Sequence, residues 1–295
     1  MSLSIDQYIQ KGKAEIETEL KHLLKDKDIP ARLHESMQYS LFAGGKRLRP
    51  ILMFASYDTF GSNTKKAYRT AAALEMIHTY SLIHDDLPAM DDDDYRRGEL
   101  TNHKKFDEAT AILAGDALLT YSFEVITEDP LLTDEEKVFL IQQLASAAGP
   151  EGMVAGQVLD IDGETKSLSL QQLEKIHELK TGRLINFAIV AGAFLANVKD
   201  DRLTHLQQFA HYLGLIFQVQ DDILDVIGDP EKLGKPVGSD EDNEKSTYPN
   251  LLGLEGAIEQ KQIYEHKAKK ALEKAGVSDD SYLLELLYYF GERDH

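Results

Sequence analysis

The sequence contains no cysteine among its 295 residues. This absence excludes disulfide bonds, zinc sites with thiolate ligands and a cysteine nucleophile. Long apolar runs are missing as well: none approaches the roughly 18 residues that a membrane span requires, and the first twenty residues lack the apolar core of a signal peptide. We therefore expect no leader peptide and no membrane span, and a cytoplasmic location.

Basic residues are scarce, since 32 lysines and arginines face 51 aspartates and glutamates and leave a formal charge of −19. This balance argues against nucleic acid or an anionic membrane as a partner, because both require basic patches. The negative charge is concentrated: residues 85–94 hold six aspartates and no base, and residues 221–244 hold nine acids and two lysines. A charge that served only solubility would be spread out, so the two segments need a separate explanation.

Prolines are few, with eight in the chain, and alternating β-branched runs are rare. The apolar periodicity is helical almost throughout, which predicts an all-α fold in a single domain over residues 1–295. Capping-box spacing at Thr133/Glu136 and at Ser169/Gln172 marks two helix starts. We predict helices at about 4–25, 31–43, 50–60, 65–86, 105–127, 134–148, 152–161, 170–196, 201–227, 246–275 and 280–290, with polar acidic loops at 87–104 and 228–244.

The predicted helix at 170–196 carries Lys180-Thr181-Gly182 in its middle. A glycine there costs about 1 kcal/mol relative to alanine. Two interpretations are open: a kink that exposes a backbone carbonyl to a cavity, or a glycine kept for packing.

Each aspartate cluster follows an otherwise apolar helix. The first contains Asp85, Asp86 and Asp91–Asp94, and Pro88 predicts that the chain leaves the helix just after the aspartate pair. The second cluster lies in FQVQDDILD. Asp221 and Asp225 share a helix face, and Phe217 and Gln218 lie on that face one turn earlier. Asp222 directly follows Asp221.

Clustered carboxylates repel one another unless a cation neutralises them. Mg²⁺ fits best, because it takes one or two carboxylates, several waters and the phosphates of a substrate. A solvated acidic face is the alternative for either run. A calcium loop is an alternative for Asp91–Asp94, although the EF-hand spacing is absent.

Basic residues stand beside these clusters. GGKRLRP supplies Lys46, Arg47 and Arg49, Arg96 and Arg97 follow the first cluster, and Lys235 and Lys245 flank the second. Arginine suits bidentate phosphate recognition and lysine supplies a mobile charge, so a diphosphate is the natural ligand. A surface salt bridge is the alternative for each of them. His78 lies two turns before Asp85. It is either a packing residue or a ligand.

These motifs in this order resemble the trans-isoprenyl diphosphate synthases. GGKRLRP, DDLPAMD, RRG, GDALL, KTG, FQ and DDILD cover most of the chain between residues 44 and 245. The resemblance implies a bundle of about ten helices around a deep central cavity, a homodimer, and head-to-tail condensation of isopentenyl diphosphate with an allylic diphosphate, dimethylallyl or geranyl.

The resemblance also implies roles for single residues. Three Mg²⁺ ions would bind the allylic diphosphate through Asp85, Asp91 and Asp221, with Asp86, Asp222 and Asp225 as indirect or water-mediated partners. Arg96, Lys180, Lys235 and Lys245 would complete that site, and Lys46, Arg49, His78 and Arg97 would hold isopentenyl diphosphate without metal. The developing carbocation would lie near Phe217, the Thr181 hydroxyl, the Lys180 carbonyl and Gln218.

Product length would depend on Tyr80 and Ser81, which precede Asp85 by five and four residues, about 7 Å along a helix axis. An aromatic residue there, with the two-residue insertion in DDLPAMD, resembles the C15, farnesyl-producing bacterial form, whereas a small residue would indicate C20. Tyr80 as an ordinary core residue is the alternative.

Three other classes of protein fit less well. A terpene cyclase would need a second motif of Asn/Asp, Ser/Thr and Glu in place of DDILD. A metal-dependent phosphohydrolase using His84 and Asp85 would need further histidine ligands that we cannot assign. An acidic calcium-binding or scaffold protein explains the charge but leaves GGKRLRP and Arg96–Arg97 without a role.

Overall fold

A computed structural model describes residues 3–25, 27–164, 166–199, 201–227 and 246–292. The chain forms two compact units. Unit 1 comprises Met1–Phe54 and Asn63–Ile141, and unit 2 comprises Ala55–Ser62 and Gln142–His295. The prediction of a single domain stays a prediction.

Unit 1 is built around α4, which is buried along most of its length because most of its residues between Thr70 and Ile83 are apolar or small. Helix α4 packs chiefly against α6, and α2 packs on α6 as well. The elements that begin in this unit are α1 (Ile5–Leu24), α2 (Ala31–Phe42), α3 (Leu48–Phe60), a 3-10 turn (Thr64–Ala67), α4 (Tyr68–Asp85), β1 (Tyr95–Arg96), β2 (Glu99–Leu100), α5 (Asn102–Lys105), α6 (Glu108–Thr127) and α7 (Asp134–Ala148).

Unit 2 is built around the long helix α11, which packs along α12, α10 and α13. Its described elements are α8 (Met153–Gly163), α9 (Leu170–His177), a π-helical turn (Glu178–Gly182), α10 (Arg183–Leu195), α11 (Asp201–Ile227), α12 (Tyr248–Lys274) and α13 (Tyr282–Glu292). The predicted loop 228–244 lies outside the described residues.

The all-α prediction is confirmed, and the predicted helices agree with the observed ones to within a few residues. Both capping boxes are present: Ser169 Oγ accepts the Gln172 N–H while Gln172 accepts the Ser169 N–H, and Thr133 and Glu136 exchange the same pair of bonds. These local signals work because each one satisfies backbone donors within a single turn.

Three local features differ from the predictions. The helix predicted from residue 105 begins at Glu108, because Phe106 leaves the helical conformation and the Asp107 carboxylate caps the new helix by accepting the Thr110 N–H. The predicted loop 87–104 contains the antiparallel pair β1–β2, whose turn has positive φ at Arg97 and Gly98. Helix α12 is broken at Gly253, where φ is 73°.

Helix α6 is, among the described residues, the one helix long and apolar enough to cross a membrane by length and composition alone. Its inner face is nevertheless packed, with Ala111, Ala114 and Leu118 fully buried. Packing against α4 and α2 accounts for the apolar residues of this inner face.

Candidate functional site

The first aspartate motif begins where α4 ends. The chain turns back directly after the helix, and the Asp91 N–H donates to the Asp85 carbonyl at 2.9 Å. The N–H groups of Met90 and Asp92 both donate to Leu87. This turn, which Pro88 predicts, brings the backbone of Asp91 against that of Asp85, so two predicted metal ligands lie side by side.

Asp86 is bound by an arginine of the hairpin. Its carboxylate is 4% exposed, and Arg96 donates to it from Nε at 2.6 Å and from Nη2 at 2.5 Å. Burial raises the pKa of Asp86, and the hydrogen bond and charge of Arg96 oppose that rise. The predicted metal ligand Asp86 is thus paired with the predicted diphosphate ligand Arg96, which accords with an indirect role for Asp86.

The glycine pair of GGKRLRP receives the second hairpin arginine. Arg97 Nη1 donates to the Gly44 carbonyl at 2.6 Å. A Cβ on Gly45 would lie 2.5 Å from Arg97 Nη1, and φ at Gly45 is 112°. The positive φ requires a glycine, and the absence of a side chain at Gly45 leaves room for the Arg97 guanidinium beside Lys46 and the first turn of α3, which carries Arg49.

His78 lies at the centre of this basic group. Its Nε2 is 3.3 Å from Arg49 Nη1. Burial lowers the pKa of His78 well below its ordinary value, and the charges of Arg49, Arg97, Arg96 and Arg47 lower it further. His78 is therefore a neutral imidazole among arginines, and the structure brings together three residues predicted to bind one diphosphate: Arg49, His78 and Arg97.

Arg47 has a different role from its neighbours, which our sequence analysis missed. It is 3% exposed, donates to Glu75 Oε1 at 2.7 Å and to the Leu41 carbonyl at 2.5 Å, and has φ of 55°. This buried pair fastens the GGKRLRP loop to α4. The available signal was Glu75 itself, an isolated acid within the apolar run that leads to Asp85.

The two residues predicted to control product length lie on α4. Tyr80 is 7% exposed, and burial together with the charge of Asp85 raises its pKa to about 12. Ser81 turns its hydroxyl back to the His78 carbonyl at 2.9 Å. Tyr80 is therefore a neutral, buried aromatic side chain five residues before Asp85, the first residue of the metal motif.

The second aspartate motif lies on α11, in unit 2. Asp221 and Asp225 are one helical turn apart, as the spacing predicts. Asp222 is buried, and its Oδ2 accepts the Tyr248 N–H at 2.9 Å. One turn earlier, Phe217 and Gln218 are partly exposed, and the Phe217 ring lies 5.5 Å from that of Phe290. Asp222 thus anchors the start of α12.

The kink expected at Lys180-Thr181-Gly182 is a π-helical turn over Glu178–Gly182. Glycines let two helices approach it: a Cβ on Gly156 of α8 would lie 2.2 Å from the Lys180 nitrogen, and one on Gly214 of α11 would lie 3.0 Å from Gly182 Cα. The irregular helix is confirmed, whereas the exposure of a carbonyl to a cavity stays a prediction. An added Cβ at Gly182 itself would meet only the His177 carbonyl, at 3.4 Å, so the close packing here depends on Gly156 and Gly214.

Asp160 is a further residue that our sequence analysis missed. Its Oδ2 lies 2.6 Å from Lys180 Nζ. It stands four residues after Gly156 on α8, so the glycine that brings the backbones together also brings the carboxylate to the lysine. The spacing GxxxD was the available signal. Lys235 and Lys245, both predicted ligands, lie outside the described residues.

The donor set suits Mg²⁺ better than a metal held by protein alone. Within the part of the chain that the structure describes, no group of three or more histidine, aspartate or glutamate side chains converges on one point. The carboxylates of Asp85 and Asp91, carried by two backbone positions that share a hydrogen bond, suit an ion that completes its shell with water and phosphate oxygens.

Comparison with known proteins gives a consistent result. The profile of the Polyprenyl synthetase family matches residues 30–283. The farnesyl diphosphate synthase of Geobacillus stearothermophilus is 48% identical over 295 residues, 99% of each chain. The chloroplastic geranylgeranyl pyrophosphate synthase of Catharanthus roseus is 44% identical over 90% of this chain and 75% of its own length.

Solved structures agree. The geranyltransferase of Legionella pneumophila superposes with a TM-score of 0.86 at 37% identity, covering 98% of this chain and 97% of its own. The geranyltransferase of Helicobacter pylori, complexed with magnesium and isoprenyl diphosphate, gives 0.81 at 36% identity, with 98% and 97% covered.

Proposed function

Because the chain belongs to the polyprenyl synthetase family, we propose that it condenses isopentenyl diphosphate head-to-tail with dimethylallyl and then geranyl diphosphate, giving farnesyl diphosphate and pyrophosphate. The observation that carries the proposal is the meeting of Arg49, His78 and Arg97 beside the helix end that presents Asp85 and Asp86. Adjacent cation-binding and anion-binding groups suit a substrate that carries a diphosphate.

The allylic diphosphate requires magnesium in this mechanism. Asp85, Asp91 and Asp221 would hold three Mg²⁺ ions, which when bound stabilise the negative charge on the departing pyrophosphate. Asp86 and Asp222 act indirectly, since their carboxylates already bind Arg96 and the Tyr248 N–H. Asp225 is assigned to a water-mediated contact.

Fixed cations complete both diphosphate sites. Arg96, Lys180, Lys235 and Lys245 serve the allylic diphosphate, and their charge assists ionisation by stabilising the leaving group. Lys46, Arg49, His78 and Arg97 hold isopentenyl diphosphate without metal. Neutral His78 contributes a hydrogen bond there while the arginines supply the charge.

Bond breaking precedes bond formation. The allylic carbon–oxygen bond breaks with both electrons leaving on pyrophosphate, and the double bond of isopentenyl diphosphate supplies the electron pair for the new carbon–carbon bond. The Thr181 hydroxyl, the Lys180 carbonyl and Gln218 offer oxygen dipoles to the cation, and Phe217 offers an apolar surface. Pyrophosphate takes the final proton, so no side chain is needed as a general base. Holding both substrates in register is the main task of the protein.

The product is C15 in this proposal because Tyr80 forms the floor of the elongation cavity. Its burial on α4, before Asp85, supports that role. Substituting Tyr80→Ala should lengthen the product toward C20, and unchanged C15 output would refute Tyr80 as the floor. A geranylgeranyl-producing enzyme is the second candidate, supported by the similarity to the plant synthase.

A homodimer in the cytoplasm completes the proposal. The outer face of α6 exposes Ile112 and Leu113 to 42% and 59%, an apolar surface that a second copy of the chain would cover. Sedimentation equilibrium of wild type and Leu113→Lys tests this: a monomeric wild type would exclude the dimer.

The decisive test is incubation with Mg²⁺, dimethylallyl diphosphate and labelled isopentenyl diphosphate, followed by chromatography of the products. We expect labelled C15 diphosphate from wild type and a large loss of turnover in Asp85→Asn. Lys27→Met, which alters an exposed pair with Glu124, is the matched control and should behave like wild type. No extension product from wild type would overturn the proposal.

A further inference from the structure

We propose that His84, seated against Gly115 of α6, is a positioning residue that fixes Tyr80 and thereby sets the length of the product. This inference rests on the proposed function, because it concerns the floor of the same elongation cavity. It assigns a role to the glycine of the GDALL motif, which neither metal nor diphosphate binding uses.

The first step is the contact between the two rings on α4. Tyr80 and His84 are one helical turn apart and share a face. Their centroids lie 5.8 Å apart with an angle of 76° between the planes, an edge-to-face arrangement that is favourable for aromatic side chains. The imidazole of His84 therefore lies beside the ring of Tyr80 and restricts where that ring can lie.

The second step is the seat that α6 provides for His84. His84 Nε2 lies 3.2 Å from the Ile112 carbonyl and 3.9 Å from Asp116 Oδ1. A Cβ on Gly115 would lie 2.2 Å from His84 Nε2 and 2.5 Å from its Cδ2. Such distances are far below van der Waals contact, so the ring occupies space that exists only because residue 115 has no side chain.

Together the two contacts restrict the position of the Tyr80 ring. Gly115 and the Ile112 carbonyl fix the imidazole from the side of α6, and the imidazole fixes Tyr80 from the side of the α4 C-terminus. If His84 is removed or displaced, Tyr80 loses an aromatic contact and gains rotamer freedom. If the Tyr80 ring can move, the elongation cavity should admit a product that is one isoprene unit longer.

The test compares product ratios in Tyr80→Ala, His84→Ala, Gly115→Ala and the control Gly12→Ala, at equal substrate conversion from geranyl diphosphate. Gly12 is a buried helical glycine of α1 whose added Cβ would meet Ile51 at 3.1 Å, away from these residues. We expect His84→Ala and Gly115→Ala to raise the C20-to-C15 ratio by roughly two- to tenfold, the range that loss of one aromatic contact allows. Gly12→Ala should keep the wild-type ratio.

The double variant His84→Ala/Gly115→Ala separates this route from general loosening. If Gly115 acts through the imidazole, the double variant should give the ratio of His84→Ala alone, whereas independent effects would multiply. Wild-type ratios in both single variants, with longer products from Tyr80→Ala, would overturn the inference and leave the proposed function intact. Independent effects, or longer products without any effect of Tyr80→Ala, would also overturn it. Absence of any prenyl product from wild type would instead refute the proposed function.

Discussion

Lys180 Nζ lies 2.6 Å from Asp160 Oδ2, so the lysine assigned to the allylic diphosphate is already held by a carboxylate of α8. Both side chains are partly buried, at 29% and 18% exposure. The pair orients a flexible side chain in advance, at the cost of a competing negative charge. If Lys180 binds the allylic diphosphate as proposed, Asp160 orients the lysine and the substrate must compete with Asp160 for it.

Substituting Asp160→Asn removes the charge but keeps the shape. We expect kcat to fall about tenfold, because Lys180 is no longer held in place. A roughly tenfold effect corresponds to the loss of one interaction that orients the lysine. Stability should change by less than about 1 kcal/mol, because a partly exposed ion pair contributes little. Steady-state kinetics and urea unfolding measure both effects, and Asp160→Glu should recover part of kcat. Wild-type kcat in Asp160→Asn would show that the pair does not orient Lys180.

Gly156→Ala should disturb the same turn through its backbone. The added Cβ would lie 2.2 Å from the Lys180 nitrogen, and a backbone atom cannot rotate away. Helix α8 must therefore shift, and we expect about 1–3 kcal/mol of destabilisation together with a fall in kcat. Denaturant unfolding with parallel kinetics provides the measurement. Gly12→Ala is the control, since its neighbour Ile51 is a side chain that can adjust; equal effects of the two variants would contradict this explanation.

His78 gives the protein a specific acid sensitivity. Since its folded pKa is lowered, the unfolded chain takes up this proton at higher pH than the folded protein does. The contribution of neutral His78 to stability is present above the unfolded pKa of about 6.5 and is lost as pH falls from there toward the folded pKa.

Two measurements test this property. The NMR titration of His78, assigned by comparison with His78→Gln, should have its midpoint below that of an exposed histidine. Arg49→Gln should move that midpoint upward without restoring the ordinary value, because burial is the larger cause. A midpoint at or above the ordinary value in wild type would refute the neutral imidazole.

The buried pair of Arg47 and Glu75 should matter more than any exposed pair. The two side chains are 1% and 3% exposed, so Glu75→Gln leaves a buried guanidinium with only the more distant carboxylate of Glu17, 3.7 Å from its Nε. We expect a loss of about 3–5 kcal/mol in the free energy of unfolding. Lys27→Met, from a pair with exposures of 32% and 50%, should cost less than about 1 kcal/mol. Equal losses in the two variants would contradict this difference.

Metal removal should separate the two substrates. With excess chelator, binding of an allylic diphosphate analogue should collapse, because its site depends on Mg²⁺ held by the aspartates. Binding of isopentenyl diphosphate should persist, because Lys46, Arg49, His78 and Arg97 need no metal. Calorimetry with and without chelator measures both. If the allylic analogue still binds after chelation, the aspartate clusters contribute only to solubility.

The predictability of the fold follows from the range of the signals. The helix ending at Asp85, the capping boxes and the spacing of Asp221 and Asp225 were all predicted, since each depends on residues within about one helical turn. The hairpin at Tyr95–Leu100 was missed because its turn relies on positive φ at Arg97, a residue type that seldom adopts it. The break at Gly253 had a local signal, a glycine inside the predicted helix, which our sequence analysis used at Gly182 but not here.

The sequence by itself determined the all-α class, the order of the motifs and the concentration of charge, because periodicity and composition are local properties of the chain. The tertiary structure decided which partners the charged side chains take. It joined Arg96 to Asp86, Lys180 to Asp160 and Arg47 to Glu75. Such pairs connect residues 10 to 28 positions apart, and packing between helices, made possible by glycines such as Gly156, selects one partner among many similar charges.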